Sequence, residues 1–376
     1  MTHELDRSAG AARRLLAART RDPEIGKIQL ELAAWTIAKA GGRVPELADE
    51  TEDLYVRMAA AFGAGDRVTG LQLVADNCET EEEDRLLFHA CRFAGDLCPD
   101  ELLAIAAANR DVLFDGQMLW RTSTPERLLE LTDDDPNGSN AAATVAELVI
   151  QARDRGAPFA AAEERWERLT RVGQRRLTNA SLRDGMLRIA ARESVDEAVK
   201  LLQWLLLSYD YDDQIYGTQA VLGRLVRVDP ARACAIVAAQ PTQAARTVWL
   251  ETLVVDFSLP AAAEPIVDEL LGQERVEQAG VLARAMIAAR RLDLLDRTLP
   301  RLADDDALES AGIIAPAVAA LRWSGHGSEA ESARDRVVGV LGDAADDDGL
   351  AARDLFDVLS APERPTLLPW GRAPLP

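Results

Sequence analysis

The chain has 376 residues, 48% of them apolar but only 5% aromatic, and a net charge of −21. That apolar share excludes global disorder, and the scarcity of aromatics argues against a deep aromatic-lined pocket. The acidic balance disfavours phosphate backbones and anionic lipid surfaces as partners.

The N-terminal stretch MTHELDRSAGAARRLL has no apolar core of the secretory kind. No apolar run reaches membrane-spanning length. The cysteines, Cys78, Cys91, Cys98 and Cys234, are too few for a disulfide scaffold in a chain this long. These features lead us to expect a cytoplasmic protein with reduced thiols and no membrane partner. Lysine occurs only at Lys27, Lys39 and Lys200, so arginine carries nearly all the positive charge.

Helical signals run along the whole chain, and alternating strand patterns are absent. Proline stands where a helix would begin in Asp22-Pro23, Cys98-Pro99, Thr124-Pro125, Asp229-Pro230 and Gln240-Pro241, positions where its missing amide is harmless. Thr80-x-x-Glu83 has the form of a capping box ahead of Leu86, Leu87, Ala90 and Phe93. His89 and Cys91 fall among these apolar neighbours, a setting that predicts a packed helix with structural thiols.

A polar, turn-forming stretch at 132–140, TDDDPNGSN, marks a boundary between an N-terminal helical region, 1–131, and a longer array, 141–359. Within it Asp133, Asp135 and Asn137 place oxygens at alternate positions before Gly138, like the first half of a calcium loop. The position of the bidentate glutamate holds Thr144. We therefore expect these side chains to cap the next helix.

Residues 165–192 carry eight arginines against Glu167 and Asp184. Arg168, Arg171 and Arg175 can share one helix face. They are candidate contacts for an acidic or phosphate-bearing partner, unless neighbouring acidic helices neutralise them. Next, Ser194-x-x-Glu197 forms a second capping box before Val195, Val199, Leu202 and Leu206.

SYDYDDQIYG follows, with Tyr209, Tyr211 and Tyr216 among Asp210, Asp212 and Asp213. Tyrosine offers rigid amphipathic contact area, so the three are candidate partner contacts. The stretch also reads as a connector whose aspartates cap the next helix. Asp212-Asp213 resembles the magnesium-binding aspartates of all-helical terpene synthases, but Tyr216 stands where a third acid is needed.

Val276–Ala288, VEQAGVLARAMIA, is echoed about 32 residues later by Leu308–Ala320, LESAGIIAPAVAA. The pair shares Glu277/Glu309, Ala279/Ala311, Gly280/Gly312, Ala283/Ala315, Ala285/Ala317 and Ala288/Ala320. A period of that length belongs to helix-pair repeats. Helix starts expected at Pro230, Ala261 and Leu292, and at Thr242, Glu274 and Asp306, keep the same rhythm. Gly280, next to alanines, is expected to let two helix backbones approach closely. The tail, 360–376, is too rich in proline for a helix.

On these residues, over 229–341, the chain resembles α-solenoids of the tetratricopeptide and HEAT kind. The resemblance implies an all-α fold, an α-solenoid of antiparallel helix pairs in a right-handed superhelix. It also implies a concave face that binds a protein or peptide without cofactors. Two alternatives stand beside it. One is an all-helical enzyme holding a divalent metal on Asp210, Asp212 and Asp213 or on Asp133 and Asp135. The other is a structural subunit of a homo-oligomer.

Overall fold

The computed structural model describes residues 9–14, 27–41, 53–77, 86, 89–90, 93–94, 101–102, 104–105, 124–130, 132, 139–173, 180–208, 215–255, 257–304, 307–341 and 347–359. Every regular element among them is a helix. In chain order these are α1 (Lys27–Lys39), α2 (Leu54–Gly63), α3 (Arg67–Asn77), α4 (Pro125–Glu130), α5 (Ser139–Asp154), α6 (Ala160–Gly173), α7 (Ala180–Glu193), α8 (Val195–Ser208) and α9 (Ile215–Val228). They continue with α10 (Pro230–Ala238), α11 (Gln243–Leu253), α12 (Glu264–Gly272), α13 (Ala279–Ala288), α14 (Leu292–Thr298), α15 (Ala307–Trp323), α16 (Gly327–Leu341) and α17 (Asp347–Leu359). Two 3-10 turns, Ala261–Ala263 and Leu299–Asp304, lie among them.

Local chemistry sets many of these boundaries. The Asp229 carboxylate accepts from the Arg232 amide at 3.0 Å, with Pro230 in the first turn of α10. Ser194 Oγ accepts from the Glu197 amide at 3.4 Å ahead of α8, the serine half of the expected capping box. Thr242, not Pro241, caps α11, accepting from the Ala245 amide at 3.1 Å. A threonine hydroxyl satisfies an orphan amide that a proline ring cannot. The expected boxes and starts at Pro23, Thr80 and Pro99 lie outside the described residues.

Contacts divide the chain into two compact units. The first comprises Met1–Val112, Asp256–Ser258 and Val267–Pro376; the second comprises Leu113–Val255 and Leu259–Ile266. The turn-forming stretch expected as a boundary lies mostly outside the described residues, at 133–138.

In the second unit α5, α7, α9 and α11 each pack on the next but one. Helix α6 fills in beside α5 and α7, α8 beside α7 and α9, and α10 beside α9 and α11. Small residues allow this closeness. A Cβ added at Gly185 of α7 would lie 2.7 Å from Ala146 Cβ of α5 and 2.7 Å from the Trp166 ring of α6. Around that contact Val145, Ala146, Val149, Ala162, Leu169 and Leu182 form the core.

The first unit repeats the next-but-one pattern in α13, α15 and α17, with α14 beside α13 and α16 beside α15 and α17. Helix α17 also packs on α1, α1 on α2, and α2 on α3. The two ends of the chain thus share one core. At the α1–α2 crossing a Cβ on Gly63 would meet the Trp35 carbonyl at 2.5 Å. Arg14 donates to Asp354 of α17 at 2.6 Å, joining residues 340 positions apart.

The echoed segments become α13 and α15, which pack on each other. Five aligned pairs, Ala279 and Ala311, Leu282 and Ile314, Ala283 and Ala315, Met286 and Val318, and Ile287 and Ala319, are fully buried in both helices, whereas Gly280 and Val281 are buried and Gly312 and Ile313 only half-buried. Gly280 does not have the role expected of it. A Cβ on Gly280 would meet Ile313 at an ordinary 3.5 Å, and one on Gly312 would meet nothing within 4 Å. Alanine-sized side chains already set the spacing here.

Candidate functional site

Arg168 and Arg171 lie exposed on α6. Arg168 sits 3.6 Å from Glu164, and Arg171 bonds Glu167, each four residues back on the same helix. Such exposed pairs contribute only about 0.3–0.5 kcal/mol each, yet they balance the charge locally. Other arginines of this region reach across helices. Arg192 of α7 bonds Asp154 of α5 at 3.1 Å, Arg188 of α7 bonds Glu147 of α5, and Arg165 of α6 donates to Thr132 at 2.5 Å.

Arg153 of α5 donates two bonds to Glu163 of α6, at 2.7 and 2.6 Å, and also bonds Glu193 of α7. Its pKa is raised, chiefly by the bond to Glu163. Arg153, with Arg188 and Arg192 of the arginine-rich segment, therefore clamps α5, α6 and α7 together. Arg175 lies outside the described residues.

Tyr209 and Tyr211 also lie outside them, as do Asp133, Asp135, Asn137, Asp210, Asp212 and Asp213. Tyr216 begins the first turn of α9, and its side chain is outside the described set. Among the described residues no group of three or more His, Cys, Asp or Glu side chains is placed to hold a metal ion. No described helix is long and apolar enough to cross a membrane. Cys234 is a free, buried thiol whose pKa is raised by desolvation, the opposite of what a nucleophile needs.

Helix α8 presents the most unusual surface of the second unit. It buries Ala198, Val199, Leu202 and Leu205. Leu206 is only half-buried, so the inward stripe runs through Leu205 at its C-terminal end. The outward ridge carries Asp196, Glu197, Lys200 and Gln203, then Trp204 at 47% exposure and Leu207 at 89%. Over its last two turns helix α8 thus carries large apolar side chains on its exposed side as well as on its buried face. No protein family, curated protein or solved structure matches this chain.

The first unit holds a different cluster that the sequence reading did not single out. Glu31 of α1 is 0% exposed, and its Oε2 lies 2.5 Å from His89 Nδ1. The Tyr55 ring of α2 meets the His89 ring edge-on, centroids 4.9 Å apart. Glu31 Oε1 and the Trp35 indole nitrogen, one turn apart on α1, are buried without a hydrogen-bond partner. A carboxylate on one imidazole nitrogen orients the ring and sets its tautomer. The one available signal was a glutamate inside an otherwise apolar run, Leu30 to Ala34. Cys91, Cys78 and Cys98 lie outside the described residues.

Proposed function

We propose that the chain is a non-catalytic helical-repeat scaffold that binds a protein or peptide in the cytoplasm, built as an α-solenoid of antiparallel helix pairs with a right-handed superhelix. The observation that carries this reading is the shared burial of five aligned pairs in α13 and α15, two packed helices whose sequences echo at about 32 residues. Equivalent positions that are buried equally favour one packing unit used twice, as in repeat arrays. The next-but-one packing within each unit supports it too, because stacked helix pairs make that contact by construction. The exposed apolar end of α8 supports a binding role, since contiguous apolar surface usually marks an interaction site.

Small-angle scattering of the purified chain, combined with photo-crosslinking capture from native cytoplasm, tests the reading. An elongated profile and crosslinks to a partner are expected. A compact profile with a closed central cavity overturns the solenoid. A large homo-oligomer with no other partner points to a structural subunit instead.

A further inference from the structure

We infer that residues 9–14 are a detachable strap over α17, covering a slot that recognises an arginine-bearing peptide, an inference that rests on the scaffold reading and names its partner class. The strap fills the slot in cis, and the peptide replaces it in trans. From Asp354 to Leu359 every residue of α17 is buried. Two of them, Asp354 and Asp357, are carboxylates one turn apart. A buried carboxylate needs a cation or a full set of hydrogen bonds. The two acids meet that need differently. Asp357 is held by Arg334 of α16, a nearly enclosed side chain that belongs to the same packed core. Asp354 is held by Arg14, whose side chain is 62% exposed against 10% for that of Asp354. Arg14 therefore stands between this carboxylate and solvent.

The bond has the form of a recognition contact. Arg14 Nε donates to both Asp354 oxygens at 3.0 Å, and Nη2 donates to Oδ1 at 2.6 Å. Such a fork selects arginine over lysine. The rest of the strap is small. Ala9, Ala11 and Ala12 are buried, with Gly10 half-buried between them. Methyl groups bury little apolar area. By contrast α1, which also packs on α17, buries Leu30, Leu32, Trp35 and Ile37. The strap is thus the weakest-held neighbour of α17 and the first to open. Lifting it lets water reach Asp354 from the side that Arg14 occupied, so the carboxylate is hydrated and not stranded. The ligand that fits is a helical turn of small residues with arginine in the place of Arg14.

The test uses the full-length chain. Hydrogen exchange is read over residues 9–14, and binding is read by anisotropy with a fluorescent peptide of the sequence 8–17, SAGAARRLLA. A control peptide carries Arg14→Gln and keeps Arg13. The protein variants are Arg14→Ala alone and Arg14→Ala with Asp354→Asn, each checked by thermal melt. Amides of the strap are expected to exchange well before those of α1 and α17. The peptide is expected to bind Arg14→Ala about tenfold tighter than wild type, in which the strap competes for the slot. Adding Asp354→Asn should weaken that binding by about tenfold to a hundredfold, as should the glutamine of the control peptide.

Exchange of the strap only together with α17, or unfolding of the first unit in Arg14→Ala, makes these residues part of the core and overturns the proposal. Equal binding to wild type and Arg14→Ala, equal binding of the control peptide, or no binding at all overturns the slot. Dimerisation of wild type that Arg14→Ala abolishes makes the strap of a second copy the occupant and overturns the choice of partner. If the slot fails while photo-crosslinks from native partners map to other elements, the scaffold reading stands and only the α17 site is lost.

Discussion

The two units are built from similar helices but are held together differently. In the second, contacts follow chain order, and the polar clamps are exposed or half-buried. Arg153, Arg188 and Arg192 join α5, α6 and α7 across gaps of 10 to 41 residues. In the first, contacts join the two ends of the chain, and the acids involved are buried. Asp354 and Asp357 of α17 are 7% and 6% exposed, bonded to Arg14 and Arg334, and Glu31 is enclosed with His89. A unit made of local contacts can order as it is synthesised. One made of distant contacts must wait for the last helix and is sensitive to the loss of any buried charge.

The sharpest way to break the comparison is to end the chain at residue 346. Without α17, both α1 and α15 lose a packing partner. Hydrogen exchange is expected to show loss of protection throughout the first unit, while α5, α7 and α9 keep theirs. Equal loss in both units would mean that they fold as one.

The buried pair gives the next largest effect. Glu31→Ala leaves His89 without its carboxylate and is expected to destabilise by about 3–5 kcal/mol. Glu31→Leu combined with His89→Leu removes both polar groups and should be much less harmful than either half alone. Urea denaturation of the four proteins in the cycle measures the difference. A simple sum of the single effects would show that the two groups are not coupled.

A smaller effect tests packing in the second unit. Gly185→Ala forces a methyl against Ala146 and Trp166 and should cost about 1–3 kcal/mol, less the gain in helix propensity. Gly312→Ala in the first unit meets open space and should stabilise by about 0.5–1 kcal/mol. Opposite shifts in melting temperature are expected from the same substitution.

The smallest effect is electrostatic. The bond from Arg291 lowers the Asp293 pKa from 3.8 to about 2. A depressed carboxylate adds stability above its unfolded value, and that share is lost as pH falls from about 3.8 toward 2. The group is well exposed, so screening leaves little of it. Asp293→Asn should lower stability slightly at neutral pH and leave it unchanged in strong acid, so that urea denaturation across the pH range shows a slightly flatter acid limb.

Much of the local architecture was legible. Asp229-Pro230, Thr124-Pro125 and Leu292 mark observed helix starts, because caps and proline act within one turn. The echo between 276–288 and 308–320 picked out two helices that pack on each other, with Ala279, Ala283, Ala311 and Ala315 among their buried side chains. On α8 the sequence reading set out an inward stripe and named no candidate contact. Leu205 turns inward where Leu206 was expected, and Trp204 and Leu207 face solvent. In a run of four consecutive large apolar residues the periodicity is flat, so neighbours alone choose which side is covered. The arginines of 165–192 could likewise be read as a patch or as clamps, and for Arg188 and Arg192 only the placement of Glu147 and Asp154 showed them to be clamps.

The amino-acid sequence by itself determined that this protein is helical and where many of its helices begin. Those properties depend on side chains within a few turns of one another. Tertiary structure alone decided that α17 closes on α1, that Glu31 meets His89 and that α8 keeps an apolar ridge in water. Each of these depends on which distant surfaces meet, and a contact between residues hundreds of positions apart leaves no periodic trace in either segment.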